Sequence, residues 1–139
     1  MSEASFWDYL RKKVLPKEGH YSRIEAETAH GFPDVAYTLN GRSGTIELKD
    51  AKRFGAKHPF KGESGLRRSQ IMWIRDEIIA GGKVVLALQC GEKVFLLKAD
   101  YYYDAFSKMT LEDVERVSVV WWGKRAFSHA KSVREFLME

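Results

Sequence analysis

Two carboxylates and an ammonium stand in an order that suits chemistry on a phosphate: Asp34, Glu47 thirteen residues later, and Lys49 two further on. Between them lies Asn40-Gly41, the dipeptide that most favours a two-residue β-hairpin turn. Such a turn pairs Leu39 with Arg42 and carries Asp34 opposite Glu47. Directly opposed residues share a face, with Cβ atoms about 4.5–5.5 Å apart. Side chains alternate along a strand, so Lys49 projects from the same face as Glu47. A turn centred on Arg42-Ser43 instead would move Asp34 about 13 Å from Glu47, too far to share an ion. The site therefore depends on the turn. Converging carboxylates suit Mg²⁺ or Mn²⁺, hard ions that take one or two protein carboxylates and fill the remaining positions with water and phosphate oxygens. A bound ion of this kind lowers the pKa of its water, and Lys49 is placed to orient that water or to meet negative charge developing on phosphorus. Phosphodiester hydrolysis is the chemistry implied.

Each fragment alone is ordinary. Glu47-Leu48-Lys49 is what any half-exposed strand carries, with Ile46 and Leu48 inward and the charges in water. Pro33-Asp34 is a common turn or strand-entry pair. What carries the reading is the combination of order, spacing and turn with the flanking elements. A short helix is expected from Ser5 to Val14, on the spacing of Phe6, Leu10 and Val14, and ends at Pro16. A strand follows over Tyr21–Thr28, then the hairpin. A basic segment from Ala51 to Gly65 leads into a helix over Leu66–Ala80, with Ile71, Ile74 and Ile78 buried and Gly81-Gly82 at its end. A second hairpin is expected over Lys83–Leu88 and Lys93–Lys98, turning near Cys90-Gly91-Glu92. The tail offers helical stretches near Asp100–Ser107 and Leu111–Val114, a strand over Arg116–Trp122 and a helix near His129–Leu137. The order predicts a single α/β (α+β) domain over residues 1–139, a central mixed sheet flanked by helices.

Composition agrees with one domain and one core: 139 residues, 45% of them hydrophobic. The lone Cys90 rules out a disulfide framework and leaves too few thiolates for the usual structural zinc sites; His20, His30, His58 and His129 are dispersed. No apolar run approaches the roughly 20 residues of a membrane span, and the N-terminal residues do not resemble a leader. A cytoplasmic protein with no membrane partner and no nucleotide cofactor is expected. The net charge is +4, but between Lys49 and Arg68 seven basic residues face only Asp50 and Glu63. Lys52, Arg53, Lys57, Lys61, Arg67 and Arg68 thus form a local basic segment, suited either to a polyphosphate partner or to a solvated loop. Trp121 and Trp122, adjacent on a strand, must face opposite ways, one of them into the core. Tyr101-Tyr102-Tyr103 reads as packing or a subunit interface.

Gly31-Phe32-Pro33-Asp34 followed by Ile46-Glu47-Leu48-Lys49 resembles the PD-(D/E)XK nuclease signature, in the style of Holliday-junction resolvases and VRR-NUC nucleases. The resemblance spans about Phe6 to Leu88. It implies a restriction-endonuclease-like fold in which Asp34 and Glu47 hold Mg²⁺ or Mn²⁺ and Lys49 serves the catalytic water. Many members add an upstream glutamate and a glutamine on the following helix, which places Glu25, with Glu27 as competitor, and Gln70 in those roles; the first helix, begun at Ser5, offers only Asp8. The activity implied is a structure-selective endonuclease on branched DNA, acting as a homodimer, with viral or mobile-element ancestry (and then a host-cytoplasmic location). A single-strand or end-processing nuclease and a non-catalytic nucleic-acid-binding module remain as alternatives.

Overall fold

The computed structural model describes residues 2–24, 31–52, 55–101, 103 and 105–139. Helix α1 (Glu3–Tyr9) starts two residues earlier than apolar spacing indicates, because Ser2 and Ser5 form a reciprocal capping box. Its last turn widens into a π-helical turn over Leu10–Val14, closed by the Leu15 N–H on the Leu10 carbonyl at 2.8 Å, and Pro16 follows. Strand β1 is His20–Arg23, where a strand over Tyr21–Thr28 is expected; positions 25–28, with Glu25 and Glu27, lie outside the described residues. Strands β2 (Val35–Leu39) and β3 (Arg42–Asp50) form the expected hairpin, with Leu39 paired to Arg42 and Val35 to Ile46. Asn40 and Gly41 both have positive φ (49° and 80°), as the two-residue turn demands.

Helix α2 (Arg68–Ile79) crosses over from β3 to β4 (Val84–Cys90), which lie parallel; every other neighbouring pair in the sheet is antiparallel. Strand β5 (Lys93–Lys98) returns through a turn at Gly91-Glu92, because Cys90 pairs with Lys93 inside the ladder. After two 3₁₀ turns (Ala99–Tyr101, Phe106–Lys108), α3 (Leu111–Val117) occupies part of the segment expected as a strand from Arg116. A Thr110–Asp113 capping box starts this helix, and β6 is only Val120–Gly123. Helix α4 (Ala130–Met138) ends the chain. The result is a six-stranded mixed sheet in the order β1-β2-β3-β4-β5-β6, with four α-helices among the described residues: an α+β domain.

The sheet separates two apolar clusters. On one side Ile46, Leu48, Val85 and Ala87 pack with Phe6 and Leu10 of the N-terminal helix and with Val133, Phe136 and Leu137 of α4. On the other, Val84, Leu86 and Leu88 pack with Ile74 of α2, Val114 of α3, Phe60 and Phe106. Coverage on both faces explains why Val84-Val85-Leu86-Ala87-Leu88 is apolar without alternation. Trp122 is buried and Trp121 is exposed, as adjacent strand residues must be; Tyr103 packs partly against the second cluster, and Tyr102 lies outside the described residues. Among the described residues no helix is long and apolar enough to cross a membrane.

Candidate active site

Strand β3 is central, so the side chains it sends toward α2 are enclosed rather than solvated. Glu47 is 1% exposed and Lys49 9%, which removes the ordinary half-exposed-strand explanation for Glu47-Leu48-Lys49. Gln70 on α2, 4% exposed, faces them. The buried stripe of this helix is thus Gln70 and Ile74, while Ile71 and Ile78 are only partly covered.

Gln70 ties the site together. Its Nε2 donates to Glu47 Oε1 at 2.9 Å, and its Oε1 accepts from Lys49 Nζ at 3.1 Å and from the Arg67 backbone N–H at 2.8 Å. One carbonyl receives two donors and the amide nitrogen meets a carboxylate, so the amide orientation follows from its partners. The Arg67 bond also satisfies a free N–H at the helix start, which fixes Gln70 to the first turn of α2. Lys49 Nζ lies 3.6 Å from Glu47 Oε1.

Asp34 stands where β2 ends. Extending the register beyond Val35–Ile46 sets it against Glu47, and its Oδ2 accepts the Leu48 N–H at 2.8 Å, replacing the strand partner that β2 no longer supplies. Burial above all, then the Asp34 charge and a hydrogen bond shared with Asp34, push the Glu47 carboxyl up to about 9, against the opposing pull of Lys49. Glu47 Oε2 is buried and has no donor among the described residues. An enclosed acceptor oxygen beside a second carboxylate fits a hard divalent cation. Among the described residues no group of three or more His, Cys, Asp or Glu side chains gathers around one point; the carboxylates set against each other here are Asp34 and Glu47.

Glu3 is a further acid within electrostatic reach of Asp34 and Lys49, at a position that apolar spacing does not indicate. Beginning the helix at Ser2 brings its first turn to the site, where Glu3 pairs with Arg23 at 3.1 Å. Burial first, and then the Asp34 charge, raise its pKa, with Arg23 and Lys49 opposing. The cue was local: Ser2 and Ser5 have capping-box spacing ahead of the first apolar residue. Asp8, by contrast, pairs with Arg11 on the exposed side of the helix.

The basic segment is folded rather than free. Ala51, Phe60 and Ser64 are buried, and the Ser64 hydroxyl accepts the Lys52 N–H at 2.9 Å. The segment encloses a cleft of about 620 Å³ lined by Lys52, Lys57, His58, Lys61 and Ser64, with His58 Nδ1 buried and without a partner among the described residues. Lys52 Nζ is 3.9 Å from Asp50. Arg67 and Arg68 are exposed at the start of α2, and Arg53 lies outside the described residues. No protein-family model matches the chain, and no curated protein sequence matches it.

Proposed function

We propose that the chain is a metal-dependent deoxyribonuclease of PD-(D/E)XK type, with Asp34 and Glu47 as ligands of Mg²⁺ or Mn²⁺. The observation that supports this best is the hydrogen-bonded set Glu47–Gln70–Lys49, buried beside the Asp34 carboxylate. Enclosing like charges costs stability, and apolar residues of similar volume would fill the space without that cost. Strongly perturbed groups kept under such a penalty are characteristic of functional sites.

When bound, the cation supplies charge neutralisation at the phosphate and an acidified water. In the hydrolysis a water oxygen forms the new bond to phosphorus, the bond from phosphorus to the leaving sugar oxygen breaks, and that oxygen gains a proton. Lys49, held by Gln70 and Glu47, offers its ammonium to the attacking water or to a phosphate oxygen. Gln70 bonds to both Glu47 and Lys49, whose charged atoms lie 3.6 Å apart, and so fixes their relative positions. The lysines of the basic cleft, with Arg67 and Arg68, grip flanking phosphates.

Branched DNA as the substrate, and a homodimer that cuts two strands, follow from the resemblance to junction resolvases; two sites held at a fixed distance are what a symmetric junction requires. The test is cleavage of four-way junction, flap, linear duplex and single-stranded DNA by wild type and Glu47→Ala, with Mg²⁺, with Mn²⁺ and with EDTA. Metal-dependent cutting that Glu47→Ala abolishes is expected. Binding without cutting under every condition would instead identify a non-catalytic nucleic-acid-binding module.

A further inference from the structure

We propose that Phe32, backed by Trp73, is a stacking platform for an unpaired base next to the scissile phosphate, so that the substrate must carry an unstacked nucleotide there. The inference rests on the nuclease reading above and names the feature of DNA that the site selects.

The loop bearing Phe32 is held on both sides. Gly31 has φ +82°, and a Cβ there would lie 2.2 Å from the Ser69 carbonyl oxygen, so the backbone sits directly on the first turn of α2. Pro33 is buried, and Val35 enters the core. Phe32, fixed between them, nevertheless stays 39% exposed. Its ring meets Trp73 at a centroid distance of 4.9 Å and an angle of 51°. Trp73 lies one helical turn beyond Gln70 and is partly buried against the second apolar cluster, which makes it a rigid base for the outer ring.

A single exposed aromatic residue is unremarkable on a protein surface. This one is two residues from Asp34 in the chain, and its supporting ring is one helical turn from Gln70, which sets the pair on the two elements that carry the candidate site. The exposed Arg67 and Arg68 at the same helix start favour a polyanion over an apolar protein partner. A base offers an aromatic ring its π-face whatever its identity, and stacking of this kind contributes to binding without sequence preference. In continuous duplex both faces of each base are already occupied. Only a single strand, a flap, a gap or a branch point presents a free face without first being unstacked.

The experiment is equilibrium binding in EDTA, which separates binding from cutting, of a gapped and a fully paired duplex, each with 2-aminopurine at the test position, by wild type, Phe32→Leu and Phe32→Tyr. The expected result is quenching of the gapped probe by wild type, with the ratio of gapped to paired affinity reduced about tenfold in Phe32→Leu and retained in Phe32→Tyr. An unchanged ratio in Phe32→Leu would overturn the inference, as would an equal loss on both DNAs, which marks a subunit contact or a folding defect. Should wild type show the expected ratios yet cut no DNA with Mg²⁺ or Mn²⁺, the nuclease reading fails and the platform stands; should it cut while Phe32→Leu keeps the ratio, the reverse holds.

Discussion

Gln70 Nε2 donates to Glu47 Oε1 at 2.9 Å across the gap between α2 and β3, with both side chains almost fully buried. The same amide holds Lys49 and the start of its own helix. Gln70→Ala should therefore do more than remove a hydrogen bond. It leaves a buried carboxylate and a buried ammonium short of partners, and the expected loss is about 1–3 kcal/mol of stability, read by denaturant unfolding. Metal-dependent cleavage should fall with it. Gln70→Glu, which sets a carboxylate against Glu47, should be the more destabilising of the two in EDTA and recover more on addition of Mg²⁺.

Asp34 accepts the Leu48 N–H and, in the proposed function, also holds the metal ion, and two substitutions separate these roles. Asp34→Asn keeps an oxygen to accept the Leu48 N–H, bonded at 2.8 Å, but removes the charge. Asp34→Ala removes both. Both variants should lose cleavage, while Asp34→Ala should also unfold about 1 kcal/mol more easily than Asp34→Asn, the net contribution of one such bond. Equal stability of the two would mean that water replaces the carboxylate at the end of β2.

The electrostatics of Glu47 set a pH dependence with a definite sign. Its carboxyl is raised from an ordinary 4.5 to about 9 in the folded chain, so between those values the native state keeps a proton that the unfolded chain has released. The associated stability is fully present below about 4.5 and is lost as pH rises toward 9. Glu47→Gln, isosteric and without a charge to titrate, should thus melt higher than metal-free wild type at pH 8, by about 3 °C or more, and the difference should shrink toward pH 5. Added Mg²⁺ should raise the wild-type midpoint at pH 8 and leave that of Glu47→Gln unchanged, because binding to the native state alone stabilises it. Differential scanning fluorimetry across that range checks both.

What was legible beforehand divides by how local its cause is. Asn40-Gly41 fixes a register through the conformations of two residues, so the opposition of Asp34 to Glu47 followed from sequence. Gly81-Gly82 and Pro16 likewise marked helix ends. The burial of Glu47 and Lys49 was not legible, because it depends on α2 covering that face of β3, and a Glu-Leu-Lys run looks the same on any strand. The place of Gln70 follows from the resemblance; apolar spacing indicates Ile74 on the buried stripe of α2 but not Gln70. Glu3 is not legible from apolar spacing, which begins the helix at Ser5; the Ser2 cap is what brings it into the first turn. The segment Arg116–Trp122 reads as a strand, but the Thr110–Asp113 cap holds Leu111–Val117 as a helix and leaves only four residues to β6.

The cleft of the basic segment should reveal itself in salt dependence rather than in cleavage chemistry. Its lysines, Lys52, Lys57 and Lys61, stand around one cavity, so phosphates held there displace counterions from the DNA. The logarithm of the affinity then falls linearly with the logarithm of salt concentration, with a slope of about −0.9 per phosphate contacted on duplex. Replacing one of these lysines by alanine should reduce the magnitude of the slope by about one, and all three by about three, across DNAs of unrelated sequence. Lys131 provides the control: it is exposed on α4, which packs against the opposite face of the sheet from α2, and it sits 3.9 Å from Glu135. Lys131→Ala should leave the slope unchanged. If it lowered the slope as much as Lys57→Ala, the DNA would be held by diffuse positive charge, and the cleft would have no particular part in binding.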